Sequence, residues 1–111
     1  MYFTPPNSQA VPAHSDDRDV ILLQLAGEKN WSIYRAPIPL PFTEEMLGKD
    51  GRHIPSRVMG DPLYEYTLRP GDVMYIPRGN VHEARTANEC SLHVTLAIPT
   101  SGIPAACLPQ C

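Results

Sequence analysis

Proline is the residue that most restricts the fold of this chain, because it occupies 13 of the 111 positions. Proline lacks a backbone N–H and breaks the interior of a helix, so prolines at this density exclude a helical bundle. Apolar residues make up 42% of the chain and charged residues 19%, which is the balance of a folded domain rather than of a disordered one. The length suits one small domain.

Most of the chain carries the signals of short β-strands. Alternating or continuous runs of apolar residues, with Gly or Pro near their ends, predict strands. The runs cover residues 19–25, 29–34, 63–68, 72–76 and 91–97. Strands of this length at this spacing are typical of a β-sandwich or barrel. We therefore assign the chain to the all-β class.

Two segments lie outside this strand pattern. The proline-rich stretch 37–62 is predicted to be mostly loop, apart from one helical turn over 43–47 with Thr43 as its N-cap. Residues 101–111 show no periodicity and are predicted to form an unstructured tail. The expected domain organisation is a core over residues 1–100 followed by this tail.

Charge and cysteine content argue against several functional classes. The formal net charge is −3 and the basic residues are scattered, so we expect no direct binding to nucleic acid. The apolar runs are too short to span a bilayer, and the N-terminus lacks the pattern of a signal peptide. Three cysteines without a Cys-x-x-Cys pair favour a reducing compartment. These features predict a soluble intracellular protein with no membrane partner.

The strongest local motif is the segment GDVMYIPRGNVH at residues 71–82. A glycine, five residues, Pro77, Gly79 and His82 follow the second signature motif of the cupin family. The physical sense is a turn, a strand, and a corner at residues 77–79 that carries His82 into the barrel interior. Taken alone, the same residues also fit a loop that ends in a surface histidine.

A second pair of metal-binding residue types lies near the N-terminus. His14 and Asp16 are two residues apart, and side chains at this spacing share one face of an extended chain. With His82 they make two histidines and one carboxylate, the facial triad that holds non-haem Fe(II) and leaves coordination positions open. Structural zinc is less favoured because no cysteine joins the set. The alternative is that His14 and Asp16 belong to a solvated acidic loop.

Lys29 is a candidate for binding an anion. It shares a face of the strand 29–34 with Trp31, so if that face is the core, the ammonium must reach water or meet an anion. On the strand 91–97, Thr95 shares a face with His93. A lysine and a threonine that face one cavity beside a metal would bind a carboxylate. The alternative is that Lys29 lies at a hairpin end and points to water.

Taken together, these motifs resemble the JmjC ribosomal oxygenases, which are 2-oxoglutarate-dependent protein hydroxylases also known as lysine-specific histone demethylases. The resemblance covers most of residues 2–100 and is specific at His-x-Asp-Asp, Gly-Glu-Lys-x-Trp, Pro-Gly-Asp and His-Val-Thr. It implies a double-stranded β-helix, the jelly-roll cupin fold, in complete or incomplete form. It implies His14, Asp16 and His82 as ligands of Fe(II). It also implies that Lys29, with Thr95 beside it, binds the distal carboxylate of the cosubstrate 2-oxoglutarate.

The resemblance implies an activity as well: hydroxylation of a protein substrate, either a ribosomal-protein histidine or a histone methyl-lysine, in the nucleus or nucleolus. The family also carries N-terminal elements, a helical dimerisation region and a winged-helix domain, which do not fit into 111 residues. The chain is therefore expected to be the JmjC catalytic core without the homodimer region. Two alternatives stay open: a non-catalytic or truncated metal-binding cupin module, and a cupin dioxygenase that uses no cosubstrate.

Overall fold

Eight β-strands form the core of the part of the chain that the structure describes. The computed structural model describes residues 1–9, 11–37 and 54–99. The strands are β1 (Tyr2–Thr4), β2 (Val11–His14), β3 (Arg18–Ala26), β4 (Lys29–Ile33), β5 (Tyr64–Leu68), β6 (Val73–Ile76), β7 (His82–Arg85) and β8 (Ser91–Pro99). A one-turn helix, α1 (Ser56–Met59), precedes β5.

The strands are arranged in two antiparallel sheets of four. Sheet A has the order β1-β8-β3-β6, and sheet B has the order β2-β7-β4-β5. Strands that follow each other in the chain lie in different sheets, except β4 and β5, which pair within sheet B, so the chain crosses repeatedly between the two layers. This arrangement is the jelly roll, or double-stranded β-helix. The fold predicted from the sequence is confirmed.

The hydrophobic core lies between the two sheets. Successive side chains of a strand point to opposite faces, and each central strand turns apolar side chains inward. The resulting cluster consists of Val20, Leu22, Trp31, Ile33, Leu68, Met74, Ile76 and Ala84. A shift of one residue in the pairing would move the apolar side chains of a strand from the core to the outer face, so this core fixes the register of both sheets. It thereby fixes the position of the polar side chains that also point inward.

The outer faces of the two sheets differ in character. Sheet A presents exposed apolar side chains, which include Leu23, Val73, Tyr75, Leu96 and Ile98. Sheet B presents polar ones, which are Asn30, Ser32, Glu65, Thr67, Glu83 and Arg85. Only sheet B therefore has the alternation of buried apolar and outward polar residues that suits a sheet facing water.

All five predicted strands are present, and their ends lie within two residues of the prediction. β1, β2 and β7 were not among the five predicted runs, because three or four residues are too few to show clear alternation. The helix α1 falls within the stretch 37–62 that was predicted to be mostly loop. The predicted helical turn at 43–47 and the tail at 101–111 lie outside the described residues. Among the described residues, no helix has the length and apolar character needed to cross a membrane.

Candidate metal centre

His14 and His82 face each other across two neighbouring strands of sheet B. His14 ends β2, His82 begins β7, and the two residues pair directly. Their ring centroids are 4.3 Å apart, and the rings meet edge to face. The register of the two strands shifts between Val11 and His14, an irregularity of the kind that re-aims a side chain next to a functional site. His82 is buried, so it is not the surface histidine of the alternative interpretation.

Asp16 joins the two histidines from a loop. It lies two residues beyond the end of β2, whereas the sequence placed His14 and Asp16 on one strand. Its Oδ2 atom is 3.5 Å from Nε2 of His14 and 3.3 Å from Nε2 of His82. The three side chains each offer one ligand atom, and these atoms all lie within 4.8 Å of one another. The three residues predicted as a cluster are therefore brought together.

Both histidine rings are held by the same kind of hydrogen bond. Nδ1 of His14 donates to the carbonyl of Pro12 at 2.8 Å, and Nδ1 of His82 donates to the carbonyl of Asn80 at 3.0 Å. A carbonyl oxygen only accepts, so in the neutral rings the hydrogen is assigned to Nδ1 and the lone pair to Nε2. Metal-binding histidines are commonly oriented through their other ring nitrogen in this way.

The corner of the cupin-type motif ties the Asp16 loop to β7. Gly79 has a φ of 94° and donates its backbone N–H to the carbonyl of Asp16 at 3.0 Å. The amide of Asn80 donates to the carbonyl of Tyr34 at 2.8 Å, which anchors the corner to sheet B. Positive φ is a conformation that glycine adopts without steric cost. The motif thus fixes the spacing between Asp16 and His82.

A cavity of about 470 Å³ opens beside these three residues. Its volume lies in the range of pockets that hold small organic ligands. His14, Asp16 and His82 contribute to its wall. The other lining residues are Tyr2, Pro12, Asp17, Arg18, Val20, Leu22, Trp31, His93, Thr95 and Ala97. The wall therefore combines apolar side chains with several titratable groups.

Lys29 is fully buried, with 0% of its surface exposed. Its ammonium donates a hydrogen bond of 2.8 Å to the hydroxyl of Thr4 and lies 5.5 Å from the ring centroid of Trp31. Burial lowers the pKa of Lys29 from 10.5 to about 8, because the charged form is poorly solvated there. The alternative in which Lys29 points to water is wrong. Lys29 does not line the cavity itself, but its ammonium lies next to Trp31, which does.

Thr95 and His93 line the same cavity, as their shared face predicted. His93 is stacked on Tyr2 with centroids 5.1 Å apart, and it meets Trp31 edge to face at 5.7 Å. Burial, and to a smaller extent the charge of Lys29, lowers the pKa of His93 from 6.5 to about 4. The imidazole is therefore neutral near pH 7.

Among the polar residues of the cavity wall, three were not predicted from the sequence as part of the site: Tyr2, Asp17 and Arg18. Asp17 is buried and accepts a hydrogen bond of 2.9 Å from Nε of Arg18. Tyr2 reaches the cavity because β1 pairs with β8, where Tyr2 lies opposite His93. Asp17 and Arg18 could have been found from the sequence, because they form a charged pair directly after the candidate ligand Asp16. The pairing of β1 with β8 has no local signal.

A jelly roll with two histidines and one carboxylate beside a cavity defines the class of cupin-fold proteins equipped to bind a metal ion. The chain belongs to the JmjC domain family, whose model matches residues 1–103. It is similar to ribosomal oxygenase 2 of Bos taurus, with 39% identity over 99 residues that cover 87% of this chain and 20% of that protein. It is also similar to NO66, a bifunctional lysine-specific demethylase and histidyl-hydroxylase of Drosophila willistoni, with 38% identity over 88% of this chain and 12% of that protein.

The fold is shared with a solved structure as well. The ribosomal oxygenase YcfD of Escherichia coli, in complex with cobalt and 2-oxoglutarate, has a TM-score of 0.54 and 20% identity to this chain. The match covers 79% of this chain and 19% of that one. The chain spans a fifth or less of the length of each of these three proteins.

Proposed function

We propose that the chain is the metal- and cosubstrate-binding core of an Fe(II)- and 2-oxoglutarate-dependent dioxygenase. The observation that carries the proposal is the position of the Asp16 carboxylate, 3.3–3.5 Å from the Nε2 atoms of two histidines whose Nδ1 atoms are both held by backbone carbonyls. Membership of the JmjC family and the fold shared with a protein that binds cobalt and 2-oxoglutarate support the same class of enzyme.

The donor set suits a ferrous ion. Ligands bonded at about 2.1 Å in neighbouring positions of an octahedral ion lie roughly 3 Å apart. The distances from Asp16 to His14 and His82 are close to this value. Two imidazoles and one carboxylate leave further coordination positions for other ligands, in contrast to a closed structural zinc site. We therefore assign His14, Asp16 and His82 as the metal ligands.

The charge balance favours a dianionic cosubstrate. Fe(II) with the Asp16 carboxylate carries a net charge of +1, and Lys29 adds another, so bound 2-oxoglutarate would bring the enclosed site to zero. No salt bridge joins Lys29 to a carboxylate within the described part of the chain, so its buried charge is still uncompensated. We assign Lys29 to the distal carboxylate of 2-oxoglutarate, with the Thr95 hydroxyl beside it on the cavity wall.

When bound, the metal and 2-oxoglutarate supply the oxidising chemistry, and the chain supplies position, charge and shelter from water. His14, Asp16 and His82 fix the metal on one side of the cavity. Lys29, buried beside the cavity residue Trp31, supplies the positive charge for the distal carboxylate of the cosubstrate. Trp31 and the apolar residues of β3 limit the access of water, which strengthens the attraction between Lys29 and an anion.

The substrate is proposed to be a protein side chain. The names of the relatives, ribosomal oxygenase and histidyl-hydroxylase, favour a histidine of a ribosomal protein. The demethylase activity in the name of the Drosophila relative makes a histone methyl-lysine the second candidate. The nuclear or nucleolar location implied by the resemblance stays a prediction.

The test is the release of succinate from 2-oxoglutarate by the purified 111-residue chain, with and without Fe(II). We expect Fe(II)-dependent turnover that falls by at least roughly 100-fold in His14→Ala and Asp16→Asn, because each change removes a metal ligand. Asp61→Asn makes the same chemical change at an exposed position and serves as the matched control. Metal affinity, measured by calorimetry, should fall in the first two variants and not in the control.

Two results would contradict the proposal in different ways. Succinate release that is unaffected by Lys29→Ala would exclude the assigned role of Lys29 and with it the 2-oxoglutarate site. A chain that binds no divalent metal at all would exclude the dioxygenase and leave a non-catalytic module.

A further inference from the structure

The strand β5 forms a regular outer edge of sheet B in the part of the chain that the structure describes. The four outermost strands are β1 and β6 in sheet A and β2 and β5 in sheet B. Every second residue of such a strand turns its backbone N–H and C=O away from the sheet, where another strand can bind them. β5 pairs with β4 over five consecutive residues without a shift in register. By contrast, β1 has only three residues, and β2 contains Pro12 and has a shifted register.

Two stacked tyrosines lie on this edge strand. The rings of Tyr64 and Tyr66 are parallel to within 10°, with centroids 5.8 Å apart. The residues pair with Ile33 and Trp31 of the core, so they lie on the side of sheet B that faces sheet A. Nevertheless, 56% and 48% of their surfaces are exposed. Exposed aromatic rings next to outward-pointing backbone groups are typical of surfaces that bind another protein segment.

A groove of about 390 Å³ continues along the same edge. It lies between β5 and β6, which are edge strands of different sheets. Most of its wall is apolar or aromatic, formed by Tyr66, Leu68, Val73, Met74 and Tyr75, and the other lining residues are Thr67 and Asp72. An extended segment beside β5 would turn every second side chain towards sheet A and therefore towards this groove. The groove thus suits the apolar side chains of such a segment.

The outer face of the same edge is acidic. Glu65 lies on the outer face of sheet B, in one row with Ser32 of β4 and Glu83 of β7. Among the residues that the structure describes, none forms a salt bridge with Glu65. Arg85 follows Glu83 on the same face of β7, whereas β5 itself contains no basic residue. A strand added beside β5 is therefore favoured if it places Lys or Arg opposite Glu65, because opposite charges on neighbouring strands attract.

We propose that the β5 edge binds an extended peptide segment in which basic and apolar residues alternate, and that this segment joins sheet B as a fifth strand. Backbone hydrogen bonds supply the affinity in this mode of recognition, and side chains on the two faces supply the specificity. The basic side chains lie beside Glu65, and the apolar ones lie on Tyr64 and Tyr66 and in the groove.

A second copy of the chain is a poorer occupant of this edge. Two β5 edges in contact would bring two Glu65 carboxylates close together, and neither strand has a basic residue to offset them. None of the β5 residues lines the cavity beside the candidate metal ligands. The inference therefore concerns a different surface and does not depend on the proposed function.

The test measures the binding of synthetic peptides to the full 111-residue chain by fluorescence anisotropy. The first peptide alternates lysine and valine over about nine residues, which is long enough to span β5. The second has glutamate in place of each lysine, and the third has proline at the centre of the lysine–valine sequence, where it removes a backbone N–H. We expect the first peptide to bind at least about fivefold more tightly than the other two. Hydrogen exchange should show that it protects the backbone amides of β5 and not those of β2.

Two variants test the part played by charge. Glu65→Lys reverses the charge at the edge, and Glu89→Lys makes the same change at an exposed position between β7 and β8. We expect Glu65→Lys to prefer the glutamate peptide, whereas Glu89→Lys should keep both wild-type affinities within about twofold. Tyr66→Thr keeps a residue suited to strands and should weaken both peptides by about fivefold. The melting temperature of each variant shows whether it is folded.

Three results would overturn the inference. The first is a wild-type chain that binds none of the peptides, as it would if another part of the chain or a second copy occupied the edge. The second is protection of amides around Asp16 instead of β5, which would locate the basic peptide at the carboxylates of the metal centre. The third is a preference for the lysine peptide that is equally strong in Glu65→Lys and in Glu89→Lys. Succinate release plays no part in these measurements, so the proposed function stands or falls separately.

Discussion

The ammonium of Lys29 donates a hydrogen bond of 2.8 Å to the hydroxyl of Thr4, and this bond joins the two sheets. Thr4 lies on β1 at the edge of sheet A, and Lys29 begins β4 in sheet B. Both residues are buried, at 1% and 0% exposed. The position of the candidate cosubstrate-binding cation therefore depends on a strand of only three residues.

Replacement of Thr4 by valine should lower the free energy of unfolding by about 2 kcal/mol, because the buried ammonium loses its hydroxyl partner. Thr67→Val is the control, since Thr67 donates to Asn30 at an exposed position, and we expect a change within about 0.5 kcal/mol there. Urea unfolding measures both values. Equal losses of unfolding free energy in the two variants would show that the buried bond between Lys29 and Thr4 stabilises the fold no more than an exposed hydrogen bond does.

Replacement of Lys29 by methionine should stabilise the fold while it removes 2-oxoglutarate binding. Burial disfavours the charged lysine, and an apolar side chain of similar size avoids that cost, so we expect a gain of about 1–3 kcal/mol at pH 7. Affinity for 2-oxoglutarate should fall by at least about tenfold. Arg69→Met is the matched control, because Arg69 is exposed and pairs with Glu28. A Lys29→Met variant less stable than the wild type would contradict the prediction.

Stability should rise with pH in two separate windows. The pKa of His93 is about 4 in the folded state against 6.5 in the unfolded state, so between these values the unfolded state binds more protons and stability increases with pH. The pKa of Lys29 is about 8 against 10.5, which gives a second rise over that range. The free energy of unfolding is measured from pH 4 to 10.5. The lower rise should shrink in His93→Leu and the upper one in Lys29→Met; rises that persist unchanged would refute these assignments.

Gly27 should tolerate no side chain. It has a φ of 65° between β3 and β4, and an added Cβ would lie 1.9 Å from the carbonyl oxygen of Cys90. We expect Gly27→Ala to cost about 3 kcal/mol or more, from the unfavourable φ and the collision with backbone. Gly60 has a similar φ of 68° with open space around it, so Gly60→Ala should cost only about 1 kcal/mol. Thermal unfolding of the two variants checks the difference, and similar melting temperatures would contradict it.

The sequence predicts those parts of the candidate site that depend on local structure. His82 follows from the spacing of turn, strand and corner. The alternation on β4 placed Lys29 on one face with Trp31 but left open whether that face was buried. Asp16 was placed near His14 correctly but on the wrong element, because β2 already ends at His14 and Asp16 lies in the loop that follows.

The contacts of β1 could not be predicted from the sequence. Thr4 meets Lys29 from the other sheet, and Tyr2 lies opposite His93, which is 91 positions later in the chain. Pairing between strands this far apart in the chain is decided by packing in the whole fold. A segment of three residues shows no hydrophobic periodicity from which such pairing could be predicted. The same holds for the meeting of Trp31 and His93, which requires both sheets to be in place.

The outer faces of the two sheets differ, and this difference bears on the solubility of the protein rather than on ligand binding in the cavity. Leu23, Val73 and Leu96 form a water-exposed apolar surface on the side of sheet A that faces away from the cavity. Contiguous surfaces of this kind drive unspecific association in concentrated solutions. The outer side of sheet A therefore governs colloidal behaviour, whereas its inner side lines the cavity, and lysines introduced on the outer side would improve solubility without altering what the cavity binds.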